Sequence, residues 1–186
     1  MKDKLKIILC LLIAVLSLTT IILKYNSSKN ESDAYKFKNE YEIYNKRYIK
    51  LNIDKDNPVK YVNEDELIDI IKNKTGIIFL GYPDSNESRN AINVLLVAAK
   101  DTGIKDIYYK NINKFNTDEI TKKIDDEVKA PTVIFVREGK VLGSYSGVVE
   151  QDDKDKLLND EEQEELYTIY TNFIHQVLND LCDEEC

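Results

Sequence analysis

The chain has 186 residues, enough for one domain of ordinary size and an appendage. It is 42% hydrophobic and 32% charged, which excludes a disordered polymer, and its net charge of −8 works against binding nucleic-acid phosphates. Lys2, Lys4, Lys6 and Lys24 against Asp3 leave residues 1–24 at +3 and the rest at −11, so the body is strongly acidic and suited to cationic partners.

Residues 7–23 form an apolar run of 17, interrupted only by Ser17, Thr19 and Thr20 and bracketed by Lys6 and Lys24. At about 1.5 Å per residue it reaches roughly 25 Å, the short end of a membrane span. No small-residue cleavage site follows, since the next residues are Lys24, Tyr25 and Asn26. Residues 1–24 therefore read as an uncleaved transmembrane helix. The leading lysines place its N-terminus in the cytoplasm. The expected location is the cell membrane, single-pass, with the C-terminal domain extracytoplasmic, where disulfides are permitted.

Residues 25–58 read as a polar spacer and a helical lead-in, with a helix over 34–48 and a strand over 48–53 that Asn57-Pro58 breaks. The domain proper is expected over 59–186. It starts with a short strand at 59–62 and a helix at 64–73 capped by Asn63, with Leu67, Ile68, Ile70 and Ile71 inward. A continuous apolar strand at 77–82 reads as covered on both faces. The helix after it, 86–101, carries Ala91, Val94, Leu95, Ala98 and Ala99 at helical spacing and ends at Thr102-Gly103. A strand at 104–112, a helix at 117–128 and a hairpin over 131–146 turning at Glu138-Gly139 follow. An acidic loop spans 147–159. The last helix, 161–181, puts Leu166, Ile169, Tyr170, Phe173, Val177 and Leu181 on one face. The order predicts an α/β protein, a mixed sheet with helices on both faces.

Two stretches carry a family likeness. One is the strand and turn Ile77-Ile78-Phe79-Leu80-Gly81-Tyr82-Pro83-Asp84-Ser85-Asn86-Glu87-Ser88-Arg89, opening a helix. The other is Ala130-Pro131-Thr132-Val133-Ile134-Phe135-Val136-Arg137-Glu138-Gly139-Lys140-Val141. Together they resemble the thioredoxin-fold family, and the order of elements agrees from about 59 to 180. The Gly-Tyr-Pro-Asp start looks like the bacterial extracytoplasmic subgroup that includes bacteriocin-transport accessory proteins.

The resemblance implies a Cys-x-x-Cys pair where Ser85 and Ser88 stand, so the redox dithiol is lost. Asn86 and Glu87 between them are also unusual, which favours a natural loss over a laboratory Cys-to-Ser change. Phe79 occupies the place of the family's buried proton-relay acid. The resemblance further implies a cis bond before Pro131 and a peptide-binding groove of Tyr82, Pro83, Ala130, Pro131 and Thr132, where the backbone of Ala130 would pair with an extended polypeptide. The alternative for Pro131 is that the fold alone requires it.

A thiolate at a helix N-terminus gains from the dipole, whereas a serine hydroxyl needs a base to become a nucleophile. The one histidine, His175, falls in the last helix. Ser85 then reads as an N-cap. The three cysteines are Cys10, within the apolar run, and Cys182 and Cys186 at the C-terminus. The terminal pair is open between a local disulfide, free or intermolecular thiols, and a poor metal site with His175 and Asn179. No catalytic residue, metal or cofactor is expected. The leading reading is a membrane-anchored protein that binds a peptide or protein partner without electron transfer. The alternative is a thiol–disulfide oxidoreductase working through Cys182 and Cys186 or a partner's thiols.

Overall fold

The computed structural model describes Ser17 and residues 31–113, 117–124, 128–151 and 153–178. The chain divides after Ser32, and the fold below is that of the second unit, Asp33–Cys186. The apolar run 7–23, Ser17 apart, and all three cysteines lie outside the described residues. Among the described residues no helix is long and apolar enough to cross a membrane.

Helix α1 (Asp33–Glu42) runs into a 3₁₀ turn (Ile43–Lys46). Strand β1 (Val59–Tyr61), helix α2 (Glu64–Asn73), strand β2 (Gly76–Gly81), helix α3 (Asn86–Thr102), strand β3 (Ile107–Asn111) and helix α4 (Asp118–Ile124) follow. Strands β4 (Thr132–Arg137) and β5 (Lys140–Ser146) and helix α5 (Asp160–Leu178) complete the chain. The five strands make one sheet in the order β1-β3-β2-β4-β5. β3 is parallel to β1 and β2; β4 is antiparallel to β2 and β5. This mixed sheet flanked by helices is the thioredoxin-like arrangement that the sequence resemblance implies.

Strand alternation sorts the core into two layers. Ile77, Phe79, Ile107, Tyr109, Val133 and Phe135 face the layer closed by α1, α3 and α5, which contribute Phe37, Ala91, Leu95 and Leu166. Ile78, Leu80, Ile134 and Val136 face Leu67, Ile70 and Ile71 of α2 and Ile120 of α4. Local signals set the boundaries. Asn63 and Glu66 form a reciprocal capping box at the start of α2. Asn159 and Glu162 exchange the same pair of bonds at the start of α5. Gly103, at φ +75°, closes α3 with its N–H on the carbonyls of Ala99 and Lys100.

One reading of the lead-in changes. Residues 49–53 are extended but belong to no strand. Ile49, Leu51 and Ile53 do alternate into the core. Their backbone groups, however, bond side chains instead of a neighbouring strand. The Ile49 N–H donates to Asn86 Oδ1 at 3.0 Å and the Leu51 N–H to Asn45 Oδ1 at 3.0 Å, while Lys38 Nζ donates to the Ile53 carbonyl at 2.8 Å. Phe37, Tyr41, Ile49, Leu51 and Ile53 all sit in the principal core. The expected strand 104–112 shortens to β3, since Ile104 still bonds back to Ala99 at 2.9 Å in the turn that ends α3.

Candidate functional site

The turn from β2 into α3 places the two serines. Ser85 is extended, at φ −136° and ψ 126°, and its Oγ accepts the Ser88 N–H at 3.1 Å. It is the N-cap of α3, and its hydroxyl serves an N–H that the helix leaves unpaired. Ser88 is fully buried; its Oγ accepts the Tyr82 N–H at 3.4 Å. Glu87 lies in the first turn, where the dipole favours a carboxylate. Neither serine hydroxyl bonds an imidazole or a carboxylate among the described residues, and His175 is exposed in the last turn of α5. The pair is equipped to cap a helix and to satisfy a turn.

Register brings the second stretch to the same end of the sheet. Leu80 is the last β2 residue paired with β4, opposite Thr132, so Tyr82 and Ala130 leave the sheet side by side. Both are half-buried against the same core layer. The Ala130–Pro131 bond is cis, and the Pro131 carbonyl accepts the Gly147 N–H at 2.7 Å. Thr132 is buried; its hydroxyl donates to the Lys129 carbonyl and meets Ser146 Oγ at 2.7 Å. Ala130 precedes the ladder, and no hydrogen bond reaches its N–H or C=O among the described residues. Pro83 is buried, so Tyr82, Ala130 and Asp84 form the accessible part of this rim. Cys182 and Cys186 lie outside the described residues.

Arg89, one position after Ser88, escapes the sequence reading. It is fully buried and all its acceptors are neutral. Nε donates to the Ile49 carbonyl at 2.5 Å, one terminal nitrogen to the carbonyls of Tyr41 at 2.9 Å and Pro83 at 2.8 Å, and the other to Asn45 Oδ1. Burial pushes its pKa below the ordinary arginine range, opposed in part by Tyr41. One side chain thus ties α1, the 3₁₀ turn, the extended segment and the turn before Ser85 to the helix. Asn86 and Glu87, between the two serines, do similar work. Asn86 bridges the Ile49 N–H and Asp155 Oδ1 at 3.0 Å each, and Glu87 faces Lys154 at 3.8 Å. Asn90 joins the loop as well, donating to the Lys156 carbonyl and accepting from the Leu158 N–H. The available signal was the run of polar residues 88–90, in helical phase with Ala91, Ile92 and Val94 and too polar to be read as core.

Phe79 stacks on Tyr109 with centroids 5.9 Å apart. The nearest polar cluster is on the other strands. Glu40 of α1 accepts from Tyr61, from Asn111 at 2.8 Å and from Tyr109 at 3.4 Å. Burial, followed by coupling to Tyr41 and Glu40, pushes the Tyr109 phenol far above its usual pKa. Burial and the bond to Glu40 raise that of Tyr61. These phenols are neutral donors that hold α1 on the sheet. Among the described residues, no group of three or more histidines, cysteines and acids could hold a metal ion.

No protein-family model matches the chain, and no curated protein sequence matches it. Solved structures that resemble it include thioredoxin from Trypanosoma brucei brucei, 16% identical over 68% of this chain and 92% of that one, with a TM-score of 0.42. Oxidised thioredoxin from Plasmodium falciparum is 17% identical over 61% and 98%, with a TM-score of 0.41. Thioredoxin O2 from Arabidopsis thaliana in its oxidised state is 14% identical over 50% and 84%, with a TM-score of 0.40. The fold assignment here rests on strand order and polarity.

Proposed function

We propose that this chain is a membrane-tethered, extracytoplasmic thioredoxin-like protein that holds an extended segment of a partner beside Ala130 without transferring electrons. The observation that carries this reading is how the two serines are used. One hydroxyl caps α3 and the other is buried against the Tyr82 N–H, while the Ala130 backbone stays open at the half-buried edge beside them. An extended chain there would gain main-chain hydrogen bonds, with Tyr82 as its apolar neighbour. The anchor over residues 1–24 and the accessory-protein likeness complete the proposal.

The test uses the full chain. Insulin reduction in the presence of dithiothreitol should not exceed that of Cys182→Ser/Cys186→Ser; a surplus would assign redox turnover to the terminal cysteines. Peptides captured by the protein should lose about two- to tenfold in affinity when the amide facing Ala130 becomes an ester, the worth of one hydrogen bond. Equal affinity of amide and ester peptides at every position would remove the pairing.

A further inference from the structure

A second site lies at the opposite end of the sheet from Ser85, before β1 and β3. A cavity of about 640 Å³ opens between the 52–58 loop and the exposed side of α3. That volume is in the range of small-molecule sites, roughly 300–1,000 Å³. Its floor is apolar: Ile53, Leu96, Val97 and Ile104, with Val97 48% exposed. The 52–58 loop brings Asp54 and Asp56 to the lining, and the C-terminal end of α3 with the turn after it brings Lys100 and Lys105.

The walls are built. Asn57, buried at the base of the loop, donates to the carbonyls of Ala34 and Asp54 at 2.8 and 2.7 Å and accepts from the Val59 N–H at 3.1 Å. The Ile107 N–H donates to the Pro58 carbonyl at 2.8 Å and stitches the loop to the segment bearing Lys105. The charges are unspent. Elsewhere on the surface lysines pair with acids, as Lys60 with Asp106 and Lys74 with Asp69. In this cavity two cations and two anions share one space, and none of the four forms an ion pair among the described residues. A lining that carries both signs of charge beside apolar side chains suits a ligand that carries both signs.

We propose that this cavity binds a short peptide with both termini free and with apolar side chains. Its carboxylate meets Lys100 and Lys105, its ammonium meets Asp54 and Asp56, and its side chains cover Leu96, Val97 and Ile104. A purely apolar ligand would leave all four charges unused, and an ion of either sign would face repulsion from one pair of them. The site is independent of the Ala130 edge.

The probe is the tripeptide Leu-Ala-Leu titrated into the full chain, with its N-acetylated, C-amidated and doubly blocked forms, read by calorimetry. The free peptide should bind saturably. Blocking either end should weaken it about twofold to fivefold, as one exposed charge contact allows, and 0.5 M salt should weaken the free peptide as well. In Lys100→Gln/Lys105→Gln, amidation should no longer matter. In Asp54→Asn/Asp56→Asn, acetylation should no longer matter; the first of these changes keeps a side-chain oxygen to accept the N–H of residue 56, a bond of 3.1 Å. All four positions are exposed, and circular dichroism checks that the variants fold. Equal affinity of all four peptide forms would assign the cavity to an internal stretch of a longer chain and overturn the proposal. Absence of saturable binding at millimolar peptide would do the same. So would self-association in light scattering that Val97→Glu abolishes, which would give this face to a second copy.

Discussion

Replacing Arg89 by methionine should be among the most damaging single changes in this protein. The guanidinium serves three main-chain carbonyls, those of Tyr41, Ile49 and Pro83, together with Asn45. Methionine fills much of the volume and donates nothing. Asn45 Oδ1 keeps its bond from the Leu51 N–H, so three acceptors are stripped rather than four. At about 1–3 kcal/mol for each buried orphan, the gross cost is about 3–9 kcal/mol. The desolvation cost of a buried guanidinium, several kcal/mol, disappears at the same time. The net expectation is a loss of about 2–5 kcal/mol, against a total stability of about 5–15 kcal/mol. Arg89→Lys should lose a comparable amount, because a point charge cannot reproduce the fork that reaches three separate segments. Urea denaturation gives the magnitude, and amide exchange at Ile49 and Leu51 gives the location, since both amides belong to the segment that Arg89 holds. A loss below about 1 kcal/mol with unchanged protection at those two amides would refute the claim that this side chain organises the approach to α3.

Alkaline titration should separate the tyrosines. Burial raises the pKa of Tyr41, Tyr61, Tyr109 and Tyr170, so their stabilisation is fully present below about pH 10 and is lost as pH rises from there towards the folded values. Of the 12 tyrosines, a block should ionise only on unfolding; smooth ionisation of all of them near pH 10 in a folded chain would contradict the assignment. Gly139 and Gly103 share a left-handed backbone but differ in space: a Cβ at Gly139 would lie 2.0 Å from the Lys72 carbonyl oxygen, and one at Gly103 meets nothing within 4 Å. Thermal unfolding should therefore show Gly103→Ala costing about 1 kcal/mol and Gly139→Ala clearly more, and equal costs would show that the hairpin tip moves freely off α2. Ser85→Ala should cost about 1 kcal/mol by removing the cap, with Ser85→Asp restoring most of it; denaturation midpoints in which alanine and aspartate match would refute the capping role.

The sheet and its helices were legible because their signals are local. Asn63 with Glu66 marks the start of α2, Gly103 marks the end of α3, and Glu138-Gly139 marks the hairpin. What the sequence left obscure depends on partners distant along the chain. The alternation of Ile49, Leu51 and Ile53 reported burial correctly. It could not report that their backbone partners would be Asn45, Asn86, Arg89 and Lys38 rather than a strand. In α5 the buried stripe is Leu166, Tyr170, Ile174 and Val177, which turns the expected face slightly. Phe173 stays half-buried because it stacks on Phe135 at 4.8 Å and fills the space left by the missing side chain of Gly143. Arg89 was obscure for a stronger reason. A lone cation is ordinarily placed in water, and only the carbonyls of Tyr41 and Ile49, brought from 40 or more residues away to join that of Pro83, make its burial tolerable.

The same contacts give the two serines a structural use. A reactive thiolate needs a helix N-terminus that is open and a group nearby to manage its proton. Here Phe79 packs on Tyr109, and neither serine hydroxyl bonds an imidazole or a carboxylate among the described residues. The first turn of α3 is also committed elsewhere. Asn86 spans the Ile49 segment and Asp155, Glu87 faces Lys154, and Ser88 is closed in by Tyr82 and Gly81. Each of these fastens a neighbouring segment or turn to the start of α3. Substituting sulfur for oxygen at residues 85 and 88 would leave the Asn86 and Glu87 contacts in place, weaken the two bonds that the hydroxyl oxygens accept, and supply no proton acceptor. The helix start is a structural junction, and the backbone of Ala130 beside it takes no hydrogen bond among the described residues.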